Sequence, residues 1–482
     1  MEPGFELPIR IPPRHSGDRL RALHRQLRAA ILEGRLRPGA RLPPTRALAA
    51  SYGVSRNTAI ATYDLLLSEG YISTRQGAGT YVADVLPKVR ERSSPKRNLR
   101  RERHLQSFWQ QPDDRSDMWT GELRYRFQLG VPDTSQLPLE VWRRLAARAL
   151  RTFARNSPAA ESVCGRTALR EAVAKHVSFA RAVACSPGDI TVTAGAQQAF
   201  DLLARILVTA KRTIVAMEDP GYPRARLAFE AAGAKIVAVP VDEEGLIVDK
   251  LPANARVIYV TPSHQFPTGA VMSPRRRAAL LEFASTRDAV VIEDDYDAEF
   301  RFGARPLDAL QTLDRSDSVF YVGTFSKCLF RELRLGFVVA PTWAQRALAA
   351  AKACADGQCP PLMQETLAAF IDEGHLVRHV RRMRQIYGGR REVLLVGLQQ
   401  HLSPWLAPVP SSAGLHLAAH ATRPMDIEAV VERARMRGVG VCPLSRFRRG
   451  RDSSPGLIFG FGAVPERDIT EGLLRLRRAF IK

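Results

Sequence analysis

The sequence predicts an α/β protein in two parts: a small N-terminal winged helix-turn-helix and a large domain with a mostly parallel sheet. Three observations carry this expectation. Short β-branched runs alternate with amphipathic helical stretches over the C-terminal three-quarters of the chain. The chain opens with a helix, a short helix, a turn, a third helix and a hairpin pattern. Between the two parts, Pro87–His104 ("PKVRERSSPKRNLRRERH") holds eight Lys/Arg against two Glu and has no apolar period, so it reads as an extended, mobile linker. The expected boundaries are 14–83 for the first part, 84–120 for the linker and 121–482 for the rest.

In the N-terminal part, Leu20, Leu23, Leu27 and Ile31 recur at helical spacing, and Gly34 stands where a C-terminal cap belongs. A proline-rich loop precedes a short helix over Thr45–Ser51. Ser55 is placed to cap a third helix running through Tyr63, Leu66 and Leu67 to Glu69. "YIST" and "GTYVA" then flank the Gly-rich tip "RQGAG".

Composition narrows the function. At 482 residues the chain is long enough for about two to four domains. It is 45% hydrophobic and 25% charged, ordinary for a globular protein. No run approaches ~18 apolar residues, which argues against a membrane span. "MEPGFELPIR" lacks the basic-then-apolar pattern of a secretory signal, so a cytoplasmic location is expected. Six cysteines without a Cys-x-x-Cys pair suggest neither a disulfide framework nor a zinc site, and no metal is expected. The net charge of +22 favours a polyanionic partner, although an arginine-rich solvated surface would give the same sum.

The first turn of a recognition helix meets base edges, and Arg56, Asn57 and Thr58 supply donors and acceptors there. Arg46 begins the preceding helix. Arg75 and the tip at Gly77 would approach the minor groove or backbone. A basic helical bundle that binds protein is the alternative; the added wing and basic linker favour double-stranded DNA. The stretch from Arg14 to Val82, through "AILEGRLRPGARLPPTRALAASYGVSRNTAIATYDLLLSEGYI" and "GAGTYV", resembles the GntR family of bacterial regulators.

In the large part, "VGTFSKCLFRELRLGF" carries Lys327 just after an expected strand, in a chain with only nine lysines. A desolvated, deprotonated lysine amine attacks aldehydes. Pyridoxal 5'-phosphate needs such a lysine, a carboxylate at its ring nitrogen, a phosphate cradle and an aromatic face. Asp294 ends the strand "AVVIED", and Tyr296 is placed to bond the ring's phenolate oxygen. Gly195, Ala196 and Gln197 open a helix after a strand, a natural phosphate site. Thr324, Ser326 and Arg334 would complete that cradle, and Tyr222 would stack on the ring. Taken singly, each has an ordinary structural reading: a capping carboxylate, a core aromatic, a surface lysine. Their joint order at successive strand ends favours a ligand site. His264 reads equally well as a site residue or a loop residue capping backbone.

With "GAQQAFDLLARIL", "EDPGYPRARLAFEAAGA", "TPSHQFPTG", "EDDYDAEFR" and the Lys327 segment, nearly the whole chain resembles the MocR/GabR subfamily of GntR regulators. That resemblance implies a winged helix fused to a pyridoxal-phosphate-dependent, aminotransferase-like domain with large and small subdomains. It implies cofactor attachment at Lys327, a carboxylate-binding role for Arg224, a homodimer, and an amine, amino-acid or cofactor effector. Three positions depart from the family pattern. Arg331 replaces a usual proline, "CGRTALREAV" replaces a different run, and Ile458 stands where true aminotransferases carry the arginine for a substrate carboxylate. A hydrophobic residue does not replace a bidentate arginine, so efficient transamination is not expected. An active aminotransferase with an appended DNA module, and a regulator with a degenerate cofactor site, are the alternatives.

Overall fold

A computed structural model describes residues 7–13, 18–75, 79–83, 104–110, 119, 122–155, 162–297, 299–302, 308–449 and 455–481. Gly77 and most of the expected linker lie outside the described residues. The chain divides into two compact units, residues 1–110 and 111–482.

The first unit contains α1 (Arg19–Leu32), β1 (Arg41–Leu42), α2 (Thr45–Ser51), α3 (Arg56–Ser68), β2 (Ile72–Arg75) and β3 (Gly79–Val82). Leu23, Leu27 and Ile31 of α1 pack with Leu48, Ala59, Tyr63 and Leu66 in one core, because i, i+4 and i+8 share a helix face. In α3, Leu66 is buried while Leu67 is 42% exposed. Gly34 has φ +74°, a left-handed conformation that ends α1. Ser55 caps α3, its Oγ accepting from the Thr58 amide at 3.1 Å. Strands β2 and β3 pair antiparallel as the wing, and β1, which was not anticipated, adds to the far side of β3.

The second unit begins with β4 (Tyr125–Arg126) and is organised by an eight-stranded sheet. Its strands are β5 (Ile190–Thr193), β6 (Ile214–Asp219), β7 (Lys235–Asp242), β8 (Gly245–Leu246), β9 (Val257–Val260), β10 (Val290–Asp295), β11 (Val319–Thr324) and β12 (Gly336–Val339). The spatial order is β5-β12-β11-β10-β9-β6-β7-β8. The run β7-β6-β9-β10-β11 is parallel throughout. Strand β12, not anticipated from the sequence, is antiparallel to both β11 and β5. Both faces of the central strands are covered, so they read as near-continuous apolar runs. Helices Ala196–Leu207, Pro223–Ala231 and Gln345–Asp356 cover one face through Phe200, Leu203, Phe229 and Leu348. Helix Pro274–Arg287 covers the other with Leu280 and Ala284.

The C-terminal α+β portion adds β13 (Leu406–Pro408), β14 (His416–Ala421), β15 (Val439–Gly440), β16 (Cys442–Pro443) and β17 (Gly456–Gly460). Strands β13, β14, β17 and β16 form a four-stranded antiparallel sheet, while β15 pairs with β4. Phe459, Phe461, Leu394 and Leu473 from this portion share one core with Val192, Phe325 and Phe337 from the large sheet.

Removing the cap of α3 tests the first unit. Ser55→Ala should destabilise the start of α3 by about 1 kcal/mol. Hydrogen exchange in the full chain should show faster exchange at the Thr58 amide, with the second unit unchanged.

Candidate functional site

In a parallel sheet all strands end on one edge, and loops gather there. Register places Asp294 of β10 beside Val322 of β11, and Glu293 beside Val260 of β9. Over these ends lies a cavity of about 620 Å³ whose lining includes Asp294, Tyr296, Lys327, Tyr222, Thr324 and Arg334. Ala196, Gln197, Ser326, Arg224 and Arg331 also face it. Gly195 stands just behind as the cap residue of helix Ala196–Leu207.

The acidic end of β10 is the centre of the site. Side chains alternate along a strand, so Asp294 faces the cavity while Glu293 and Asp295 face away. Asp294 Oδ2 accepts from the Tyr259 hydroxyl at 2.6 Å. Its Oδ1 is buried without a partner among the described residues. Burial pushes this carboxyl up to about 7, against the Tyr259 hydrogen bond. A buried carboxylate with one unmatched oxygen lacks a cationic donor, and a protonated ring nitrogen has that character.

Lys327 follows β11 and donates from Nζ to the Gly130 carbonyl at 2.9 Å. Burial, then the charge of Arg331, push this amine down to about 8, although Asp297 and Asp294 oppose the shift. The amine is therefore deprotonated in a larger fraction near neutral pH than an ordinary lysine. Gly130, at φ +62°, comes so close that a Cβ there would lie 2.4 Å from Nζ.

Helix Ala196–Leu207, whose first residues also line the cavity, starts without a side-chain cap. Amides at such an uncapped helix start are suited to an anion, although those of Gln198 and Ala199 already reach the Gly195 carbonyl. Gly195 adopts φ +81° against Arg334, where a Cβ would meet Nη1 at 3.3 Å. Arg334 donates to the Ala194 carbonyl at 2.5 Å. Thr324 Oγ1 donates to Ser326 Oγ at 3.0 Å, pairing two hydroxyls beside that turn. Tyr222 lies edge-on to Phe266, ring centroids 5.2 Å apart, and burial raises its phenol.

Tyr296 donates its hydroxyl to the His264 carbonyl at 3.0 Å and lies 3.0 Å from His264 Nδ1. That nitrogen is 3.1 Å from Asp297 Oδ2. His264, ambiguous in sequence, is thus fully buried at the base of the site, with Asp297 and His416 beside it. Sequence reasoning missed Asp297, His416, Tyr259 and Gly130. Asp297 directly follows Tyr296, and Tyr259 sits on an identified strand; Gly130 gives no signal at all, since 197 residues separate it from Lys327.

Ile458 is fully buried in β17 among Ala418, Cys442, Leu444 and Phe447, an apolar wall. In the other unit, Arg46, Arg56 and Asn57 are exposed and Thr58 is half-buried. The Thr58 hydroxyl is engaged by Ser55 Oγ at 2.8 Å, and Arg75 lies over the Tyr81 ring at 4.8 Å.

Comparison with known proteins fits both units. The model for aminotransferase class I and II matches residues 127–448, and that for the gntR family of bacterial regulatory proteins matches residues 21–82. The chain is 39% identical to a probable rhizopine catabolism regulatory protein MocR of Rhizobium meliloti, covering 96% of this chain and 93% of that protein. It is 32% identical to an HTH-type pyridoxine biosynthesis transcriptional regulator, PdxR, of Corynebacterium glutamicum, covering 96% of each. Kynurenine aminotransferase of Pyrococcus horikoshii, solved in complex with PMP, superposes with TM-score 0.73 at 27% identity over 79% of this chain and 98% of that one. An α-aminoadipate aminotransferase of Thermus thermophilus, complexed with N-(5'-phosphopyridoxyl)-L-leucine, gives TM-score 0.68 at 29% identity over 73% and 91%.

Fold and site together define an HTH-type regulator with an aminotransferase-like domain. The chain belongs to the MocR type of the GntR family. No described helix is long and apolar enough to cross a membrane.

The lowered basicity of Lys327 is measurable without any ligand. Reductive methylation of this amine should rise with pH and level off above about 8, while exposed lysines keep gaining up to about 10.4. Peptide mass spectrometry across that range would show it.

Proposed function

We propose that the cavity holds pyridoxal 5'-phosphate on Lys327 and that occupation of this site by an amine, an amino acid or the cofactor itself alters operator binding by the N-terminal unit. The observation that carries this reading is the unmatched Asp294 oxygen in the same cavity as a lysine of lowered basicity. When bound, the cofactor supplies an aldehyde that condenses with primary amines and a ring that withdraws electrons. Asp294 would hold a proton at the ring nitrogen. Tyr296, fastened by His264, would meet the phenolate oxygen, and Tyr222 would cover a face of the ring. Arg334, Thr324, Ser326 and the amides of Gly195, Ala196 and Gln197 would hold the phosphate. Arg224 would receive an acidic group of the effector.

In the other unit, Arg46, Arg56, Asn57, Thr58 and Arg75, together with Gly77, would contact double-stranded operator DNA. The signal is a population shift: an occupied cavity favours one arrangement of DNA-binding units over another. A cytoplasmic homodimer is part of the proposal, since two winged helices read a two-half operator.

One observation separates this reading from an active aminotransferase. Ile458, packed among Ala418, Cys442, Leu444 and Phe447, itself offers no donor to a carboxylate, so any cation for one would have to come from Arg224, Arg226, Arg331 or Arg446 in the cavity lining. A carboxylate placed against Ile458 would lose its hydration without compensation.

Adding pyridoxal phosphate to the purified protein should produce a visible absorption band that Lys327→Ala lacks. An amino donor with a keto acid should then perturb the band without sustained turnover. No band would reduce the second unit to a scaffold, and steady turnover would make the chain an enzyme.

Operator binding should fall steeply with salt, and Arg56→Ala should weaken it by about 1–3 kcal/mol. Gel-shift titrations at two salt concentrations test both; a salt-insensitive complex would overturn the DNA assignment.

A further inference from the structure

Helix Gln345–Asp356 carries Lys352, whose side chain is entirely shielded from solvent. It does not line the cavity. Burying an ammonium is costly unless its donors are matched. Here Nζ reaches both oxygens of Asp356 at 2.6 and 2.8 Å, Gln198 Oε1 at 3.0 Å and Cys359 Sγ at 3.3 Å. Gln198 belongs to the first turn of helix Ala196–Leu207. Its Nε2 donates to Asp356 at 2.8 Å, and its Oε1 also accepts from the Ala194 amide at 2.7 Å.

The connection therefore runs from Asp356 through Lys352 and Gln198 to the backbone just ahead of the uncapped helix start. The same residue, Ala194, is held through its carbonyl by Arg334. The peptide after Ala194 is thus held by Arg334, which lines the cavity, and the peptide before it by Gln198. Packing tightens this further, since a Cβ on Gly336 would lie 3.0 Å from the Gly195 Cα. An amide cradle binds a phosphate strongly only when its donors already point at the anion, so that no ordering remains to be done on binding.

We infer that Lys352 is a positioning residue for the phosphate-binding turn, acting through Gln198 and Asp356 and never touching the ligand. The inference rests on the proposed cofactor reading and goes beyond it by assigning a role to a network behind the cavity.

The test uses the full chain and two probes that differ only by the phosphate. Wild type, Lys352→Met and Gln198→Met are titrated spectroscopically with pyridoxal phosphate and with pyridoxal. Losing one hydrogen bond to a charged group corresponds to about tenfold in affinity. Lys352→Met should weaken pyridoxal phosphate by about that factor and leave pyridoxal within about twofold. Gln198→Met keeps the Lys352–Asp356 pair and removes the side-chain bonds by which Gln198 joins Lys352, Asp356 and the Ala194 amide. It should give the same selective loss, and if Lys352→Met fails to fold, Lys352→Gln takes its place beside it. Equal losses for both probes, or none for either, would overturn the inference while the cofactor reading stands. A wild-type chain that binds neither probe would overturn that reading, and the inference with it.

Discussion

Three consecutive carboxylates at the end of one central strand govern the architecture of the second unit. Glu293, Asp294 and Asp295 are all buried, and each buried carboxylate must be matched or neutralised. Glu293 accepts from the amides of Leu310 and Gln311 at 2.8 and 2.9 Å, which fixes where the chain turns before β11. Asp295 accepts from Arg181 Nε and the Tyr321 hydroxyl, both at 2.7 Å. Arg181 in turn reaches Ser263 Oγ at 2.5 Å, tying down the loop that carries His264. The two outward acids are thus spent on structure. Only the cavity-facing one, Asp294, keeps an oxygen without a partner. The asymmetry follows from strand alternation: the two acids matched within the protein and the one facing the cavity occupy opposite faces of one backbone.

Much of this was legible in the sequence. The central strands announce themselves because burial on both faces makes them continuous apolar runs, and the helices because one face alone is covered. Lys327, Asp294, Tyr296 and Tyr222 were found because a parallel sheet gathers its strand ends at one edge, and the structure brings all four to one cavity. What stayed hidden depends on distance and orientation. Strand β1 is two residues long and exists only because β3 offers a partner. Strand β12 follows Arg334 so closely that its apolar run reads as the tail of the lysine segment. Gly130 meets Lys327 from far away in the chain. Lys352 sits in "AQRALAAAKACAD", where nothing marks it as interior rather than solvated. His264 was ambiguous because a loop histidine has no periodicity; burial against Asp297 and Tyr296 defines it.

The wall around Ile458 and the cluster beneath Tyr296 pull the site in different directions. The base of the cavity is equipped with acids, imidazoles and phenols in close contact. The cluster around Ile458 is apolar. Under the proposed reading, such a cavity would keep the parts that engage an amine, while position 458 itself supplies no donor to orient a carboxylate. A sensor needs the former; repeated turnover would erase the state it is meant to report.

The scarcity of lysine has a chemical consequence of its own. Of 71 basic residues only nine are lysines, and Lys352 is sealed in the interior. Guanidinium groups stay protonated at any physiological pH, so they attract phosphate yet do not add to carbonyl carbon. A cationic charge carried by arginine does not form Schiff bases with a simple aldehyde. If Lys327 takes up pyridoxal phosphate as proposed, that aldehyde meets few competing amines on the way.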